Sequence, residues 1–196
     1  MKLFDSWDST GIIITDPALK DHISLQSIIV PRSNGKFSYQ RFYKNKYHII
    51  ERLINHMMCP GHKGKKHFIT SGHCGGKSHT NLKTVENTLR IIEKKMNMNP
   101  IAVFVKAIEN AAPRDEITTI EYGGARYPQA VDCSPQRRID PALRLMVQGA
   151  YVKSFGKKTK MENALAEEIV AAYSFDQKSS AINKKLELER MADAAR

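Results

Sequence analysis

One segment alone in this chain reads as paired strands. Residues 116–122, "EITTIEY", alternate and are rich in β-branched side chains. Gly123-Gly124 supplies a two-residue turn at positive φ, and residues 125–133, "ARYPQAVDC", run back. Two strands cannot enclose a core, and an isolated hairpin is not stable in water unless it packs on something. The body must therefore be built by helices, with the hairpin at about 116–133 attached to them. Pro128 in the returning strand fits an edge or a bulge, because proline donates no ladder hydrogen bond.

The remaining pattern supplies those helices. Residues 1–35 are irregular, with "GIIIT" at 11–15 as a candidate short strand and Pro17, Pro31 and Gly35 as breaks. Ile49, Ile50, Leu53, Ile54, Met57 and Met58 recur at helical spacing until "CPGHKG" ends the run. A Gly-, Lys- and His-rich loop follows over 59–80. Leu82, Val85, Leu89, Ile92 and Met96 form a second stripe. Asn99-Pro100 opens a third helix, with Asn as N-cap and Pro at the first helical position, running to Pro113. Asp140-Pro141 repeats that signal before "ALRLMVQGAYVKSF", and "KMENALAEEIVAAY" and "SAINKKLELERMADAA" add two more. The expected fold is mainly α: a single helical domain of about six helices over 41–196, a protruding hairpin, and an irregular N-terminal extension over 1–40.

Charge limits the partners. The formal net charge is +11, an excess that opposes compaction and points to nucleic acid or an anionic surface. Residues 32–66 carry nine Lys/Arg against Glu51, and residues 135–160 carry seven against Asp140. No run of about 18 apolar residues is present, so no membrane partner is expected. "MKLFDSWDSTG" has no apolar leader pattern, and Cys59, Cys74 and Cys133 cannot all pair with one another; both fit a reduced, cytoplasmic setting.

Several constellations carry less than they suggest. "SGHCGGKSH" at 71–79 ends like a phosphate loop, but its first glycine falls one place late, at Gly72, and "KKHFIT" before it is too basic for a buried strand. Cys59, His62, His67, His73, Cys74 and His79 include half of a zinc site, Cys59-x-x-His62, with no second spaced pair to complete it, so neither metal nor cofactor is expected. Glu167 and Glu168 read as a solvated mid-helix face, and no carboxylate pair is marked for acid–base work. No enzyme is expected.

The strongest constellation surrounds the hairpin. Tyr122, Gly123, Gly124, Arg126 and Tyr127 form its tip, where aromatic faces and guanidinium groups suit stacking on bases and binding of phosphate. Arg137 and Arg138 follow Pro135 at its base, with Arg144 six residues beyond Arg138, as a cationic strip. The alternative for Arg137 and Arg138 is ion pairing with acids of the helices.

"YGGARYPQAVDCSPQRRIDPALR" resembles the hairpin and following helix of the universal small-subunit ribosomal protein of the S-seven family. The resemblance includes the double glycine, the tyrosine three residues beyond it, and Pro-x-Arg-Arg. "NPIAVFVKAIENAAPRDEIT" and "IIERLINHMM" are similar to family helices. "KLFDSWD", "ALAEEIVAAY" and "AINKKLELERMADAAR" are similar to the archaeal and eukaryotic branch. The resemblance covers the chain from Leu3. Two stretches depart from it: the loop from Cys59 to Thr80 is longer and richer in His and Gly, and "GAYVKSFGKKTK" is richer in Lys.

The resemblance implies binding to head-domain rRNA of the small subunit, a part in nucleating head assembly, and a place near the subunit interface and messenger exit. It implies a hairpin approaching exit-site tRNA, and neighbours of the S-nine and S-eleven families. On that reading Arg137, Arg138 and Arg144 form one rRNA surface, Arg41, Lys44 and Lys46 a second, and Lys63, Lys65 and Lys66 a third. The rivals are a free RNA-binding regulator and a metal-dependent enzyme using the Cys/His loop.

Overall fold

The computed structural model describes residues 1–63, 66–67 and 74–196, with the backbone alone for 62, 63, 66 and 67. Among the described residues it contains seven α-helices: α1 (Pro17–Lys20), α2 (Ile49–Met57), α3 (Ser78–Met96), α4 (Pro100–Ala111), α5 (Pro135–Ser154), α6 (Met161–Tyr173) and α7 (Ser180–Ala194). A 3-10 turn, Tyr43–Lys46, leads into α2. Strands β3 (Asp115–Tyr122) and β4 (Ala125–Asp132) form the hairpin, and β1 (His62–Lys63) pairs with β2 (Lys66–His67) in a second, minimal one.

The core is helix on helix, as two strands require. α6 packs on α3, α4 and α5, and α7 packs on α5. Phe104, Leu89, Ile92, Ile108, Ile139, Leu143, Leu165 and Ile169 are buried between them. The stripe read on α3 is the buried face: Val85, Leu89 and Ile92 are buried, and Leu82 and Met96 pack against them. Asn99 caps α4 as its position predicts, its side chain accepting from Ile101 N at 3.0 Å with Pro100 in the first turn.

The start of α5 differs from the expectation. Ser134 is its N-cap and Pro135 stands in the first turn, so Asp140-Pro141 lies inside the helix. Both Ser-Pro and Asp-Pro satisfy the start signal; the earlier one prevails, and the side chain of Asp140 is engaged with another element instead. Pro141 leaves only the carbonyl four residues earlier without its helical donor, and the helix continues through it.

The N-terminal segment is irregular, as expected, and is built into the same core. Leu3, Trp7, Leu19 and Ile23 are buried with the helix residues. "GIIIT" forms no strand, since no neighbouring strand offers it a ladder: Ile12 and Ile14 pack against the core while Ile13 is 87% exposed. Polar ties fasten the segment. Asn99 Nδ2 donates to Asp8 O at 2.7 Å, and Glu109 accepts from the backbone of Thr15 and Asp16.

A second correction concerns Glu168. Glu167 is exposed as read, but Glu168 is fully buried. Its Oε1 accepts from Ser179 Oγ at 3.0 Å and from Ser180 N, and its Oε2 from Lys153 Nζ at 2.6 Å. The carboxylate joins α5, α6 and the start of α7.

Candidate RNA interface

The hairpin is paired without interruption, from Asp115 opposite Asp132 to Tyr122 opposite Ala125, and Pro128 sits opposite Thr119 with no bulge. A two-stranded sheet has only edges, so the missing N–H of Pro128 costs no interior pairing. Gly123 and Gly124 have φ of 60° and 82°, the two positive values that a tight turn of this hand requires. Residues 119–129 are exposed, and Tyr122, at 81% exposure, stands clear of the body. The register puts Ile120 opposite Tyr127, so Ile120, Tyr122 and Tyr127 share one face, while Arg126 pairs with Glu121 at 3.5 Å across the other.

The base of the hairpin is held in place. Arg137 makes a two-pronged contact with Glu116 of β3, at 3.1 Å from Nε and 2.8 Å from Nη2. Arg196 pairs with Asp115, and Glu189 of α7 accepts from Arg114 N at 3.0 Å. The Arg137 guanidinium is the first cause holding the Glu116 carboxyl below its usual range, against burial. Burial first, and then the Glu116 charge, push the neighbouring Cys133 thiol up to about 11, so it stays protonated and unreactive at neutral pH.

The Arg137–Arg138 pair is divided by the structure. Arg137 is half-exposed, bound to Glu116 and still facing solvent. Arg138 is buried: Nη2 bonds Asp16 Oδ2 at 2.6 Å and Nε bonds Pro113 O at 3.2 Å. Its expected place on the RNA surface is therefore corrected to an internal tie between α5 and the N-terminal segment. Consecutive helix positions point about 100° apart, so an adjacent pair cannot share one outward face. Arg144, placed by the earlier helix start in the third turn of α5, is exposed and makes no ion pair among the described residues.

In the second basic group, Lys44 is engaged with Asp140 Oδ2 at 2.7 Å. Arg41 and Lys46 are exposed, with Arg41 4.9 Å from the Phe42 ring centre and Lys46 3.6 Å from that of Tyr43. Of the third group, Lys65 and the side chains of Lys63 and Lys66 lie outside the described residues, as do the side chains of His62, His67 and His73. Among the described residues no three His, Cys, Asp or Glu gather as a metal site.

Comparison with known proteins decides the family. A family model described as "Ribosomal protein S7p/S5e" matches residues 19–196. The small ribosomal subunit protein uS7 of Nanoarchaeum equitans (strain Kin4-M) is 54% identical over 196 residues, all of this chain and 99% of that protein.

The chain belongs to the S7p/S5e family of ribosomal proteins. Its S7p/S5e body is mainly helical with a two-stranded hairpin, and among the described residues no helix is long and apolar enough to cross a membrane. The residues preceding the family match, 1–18, are covered by the archaeal relative and supply Leu3, Trp7 and Asp16 to the core and its ties. Sequence reasoning missed the partners of the arginines, Asp16 and Glu116. Their acidic character was visible, but no local spacing links positions 122 and 21 residues away from their arginines.

Proposed function

We propose that this chain is a structural constituent of the small ribosomal subunit that works by binding, without catalysis. It binds head-domain rRNA, helps nucleate assembly of the head, and directs its hairpin toward exit-site tRNA and messenger in the cytoplasm. Its neighbours are head and platform proteins of the S-nine and S-eleven families. The observation that carries this reading is the hairpin: its base is tied to the body by Arg137, Arg196 and Glu189, while its aromatic tip is exposed, Tyr122 at 81% and Tyr127 at 59%. A rigid probe on a cationic body suits a position fixed by RNA. Sequence-tolerant shape recognition fits as well, since side chains cannot read the deep groove of A-form RNA.

Co-sedimentation of the cellular protein with small subunits after a high-salt wash tests the assignment directly; a protein left in the free fraction overturns it. In rRNA binding, Arg144→Ala is expected to reduce the slope of log affinity against log salt by about one, the share of one phosphate contact. Arg138→Ala is expected to lower fold stability and leave that slope unchanged. The reverse pattern would return Arg138 to the RNA surface and remove Arg144 from it.

The tip separates from the anchor. A Gly123→Val, Gly124→Val chain is expected to assemble into subunits while losing exit-site tRNA retention or reading-frame maintenance. Among the described residues, and apart from the chain neighbours, no atom lies within 4 Å of an added Cβ at either glycine, so the strain is in the backbone. The cost is about 1–2 kcal/mol for each residue held left-handed. Failure to enter subunits would make the hairpin part of the anchor; normal translation would leave the tip without a contact.

A further inference from the structure

We propose that the cavity between residues 37–47 and α2 receives a single unstacked base of the bound RNA strand, an inference that rests on the RNA-binding role above. The cavity measures about 340 Å³, and its lining includes Phe37, Gln40, Lys44, Tyr47, Arg52 and Asn55. That is within the about 300–1,000 Å³ typical of small-ligand sites.

Three features of this cavity match a nucleobase. Its walls are aromatic. Phe37 and Tyr47 meet edge to face, with ring centres 5.5 Å apart and planes at 83°, forming a corner against which a flat ring can stack. Its polar groups are ones that read base edges. The side-chain amides of Gln40 and Asn55 are exposed and have no hydrogen-bond partner among the described residues. Each offers both a donor and an acceptor, the pairing that a Watson–Crick edge needs. Its lining is also cationic: Arg52 is buried, held by His22 O at 3.1 Å and Asp140 Oδ1 at 2.9 Å, while its buried Nε has no partner among the described residues.

The surroundings fit an RNA strand better than a free metabolite. Tyr39 and Phe42 are 72% and 63% exposed beside the cavity, an aromatic display that water does not favour. Exposed Arg41 and Lys46 adjoin the lining residues Gln40 and Tyr47 in the chain, and residues 32–66 carry nine cationic side chains against one acid, so the phosphates on either side of an inserted base have positive charge within the same segment. The aromatic and basic residues alternate, the arrangement that binds single-stranded nucleic acid by stacking and by charge together.

The test uses the full chain and small-subunit rRNA, with affinity measured across a salt series. Phe37→Ala with Tyr47→Ala is expected to weaken binding about tenfold or more at every salt concentration without changing the slope, because stacking is lost and no phosphate contact is. Tyr47→Phe keeps the ring and is expected to bind like the parent. An affinity unchanged in the double alanine chain overturns the pocket, and so does a reduced slope, which would mark a phosphate site. Photocrosslinking of the parent chain to rRNA is independent of any folding defect in the variants: a nucleotide adduct on Phe37 or Tyr47 is expected, and adducts confined to other segments overturn the proposal. A parent chain that binds no rRNA overturns the proposed function itself and this pocket with it.

Discussion

Asp140→Ala is expected to destabilise the folded chain by about 3–5 kcal/mol, the cost of leaving a buried charge without its partner. Asp140 accepts from Arg52 Nη2 at 2.9 Å and from Lys44 Nζ at 2.7 Å, and so joins α5, α2 and the 3-10 turn. His56 Nε2 stands 3.8 Å away, too far for a normal hydrogen bond. Burial by itself raises the carboxyl, but His56, Lys44 and Arg52 together outweigh it and hold it well below the usual carboxylate range. Removing Asp140 strands Arg52, whose side chain is only 1% exposed. Denaturant unfolding measures the loss. Adding Arg52→Met should recover a large part of it, because an apolar side chain of similar length needs no counter-charge. A loss under about 1 kcal/mol in the single variant would show that water compensates the guanidinium.

The same site has a pH signature. The unfolded carboxyl ionises near 3.8 and the folded one lower, so the stabilisation is complete above 3.8 and is lost as pH falls toward the folded value. His48 acts in an earlier window. Burial lowers its imidazole from 6.5 to about 4, and its neutral Nδ1 accepts from Ile50 N at 3.2 Å to cap α2. Its contribution is present above 6.5 and is lost between 6.5 and about 4. Acid unfolding of the parent chain should therefore show both windows, and Asp140→Ala should remove only the lower one.

Gly149→Val is expected to cost about 3 kcal/mol, at the upper end of ordinary overpacking. A Cβ at Gly149 would stand 2.5 Å from Ser180 Oγ, 2.8 Å from Ser180 Cβ and 2.9 Å from Glu168 Oε1. α5 and α7 cross here with no room for a side chain, and the displaced atoms include the carboxylate that binds the start of α7. Both effects act together: helices forced apart, and a buried carboxylate deprived of its donors. Thermal unfolding of Gly149→Ala, with and without Ser180→Gly, separates them. The second change removes the nearest two atoms and should restore part of the stability. Equal melting of Gly149→Ala and the parent would mean the crossing can widen freely.

The hairpin, the apolar stripes and the caps were legible in the chain because each depends on neighbours within a turn or a strand. The 123–124 turn needs two residues at positive φ, and two glycines meet that need without tertiary help. The stripe of α3 and the Asn99-Pro100 start follow from helical period and from an orphan N–H, both local quantities. The start of α5 was misread because two Ser/Asp-Pro signals compete within seven residues, and local preference cannot rank them. Glu168 was misread because an acid in a helix is ordinarily solvated, and its donors come from the helices on either side, α5 and the start of α7.

By itself the sequence determined the helical class, the hairpin and its turn, the excess of positive charge and, through specific motifs, the resemblance to a ribosomal family. Only the tertiary structure decided which cations remain outside. Arg138 turns inward to Asp16, and Lys44, still partly exposed, pairs with Asp140, while Arg144, Arg41 and Lys46 stay exposed and free of acids among the described residues. It also decided that the first 23 residues carry core side chains, among them Leu3, Trp7 and Ile23. The physical reason is range. Backbone preference and periodicity act over a few residues, whereas an ion pair is chosen by whatever acid the packed helices bring within about 4 Å, however distant in sequence.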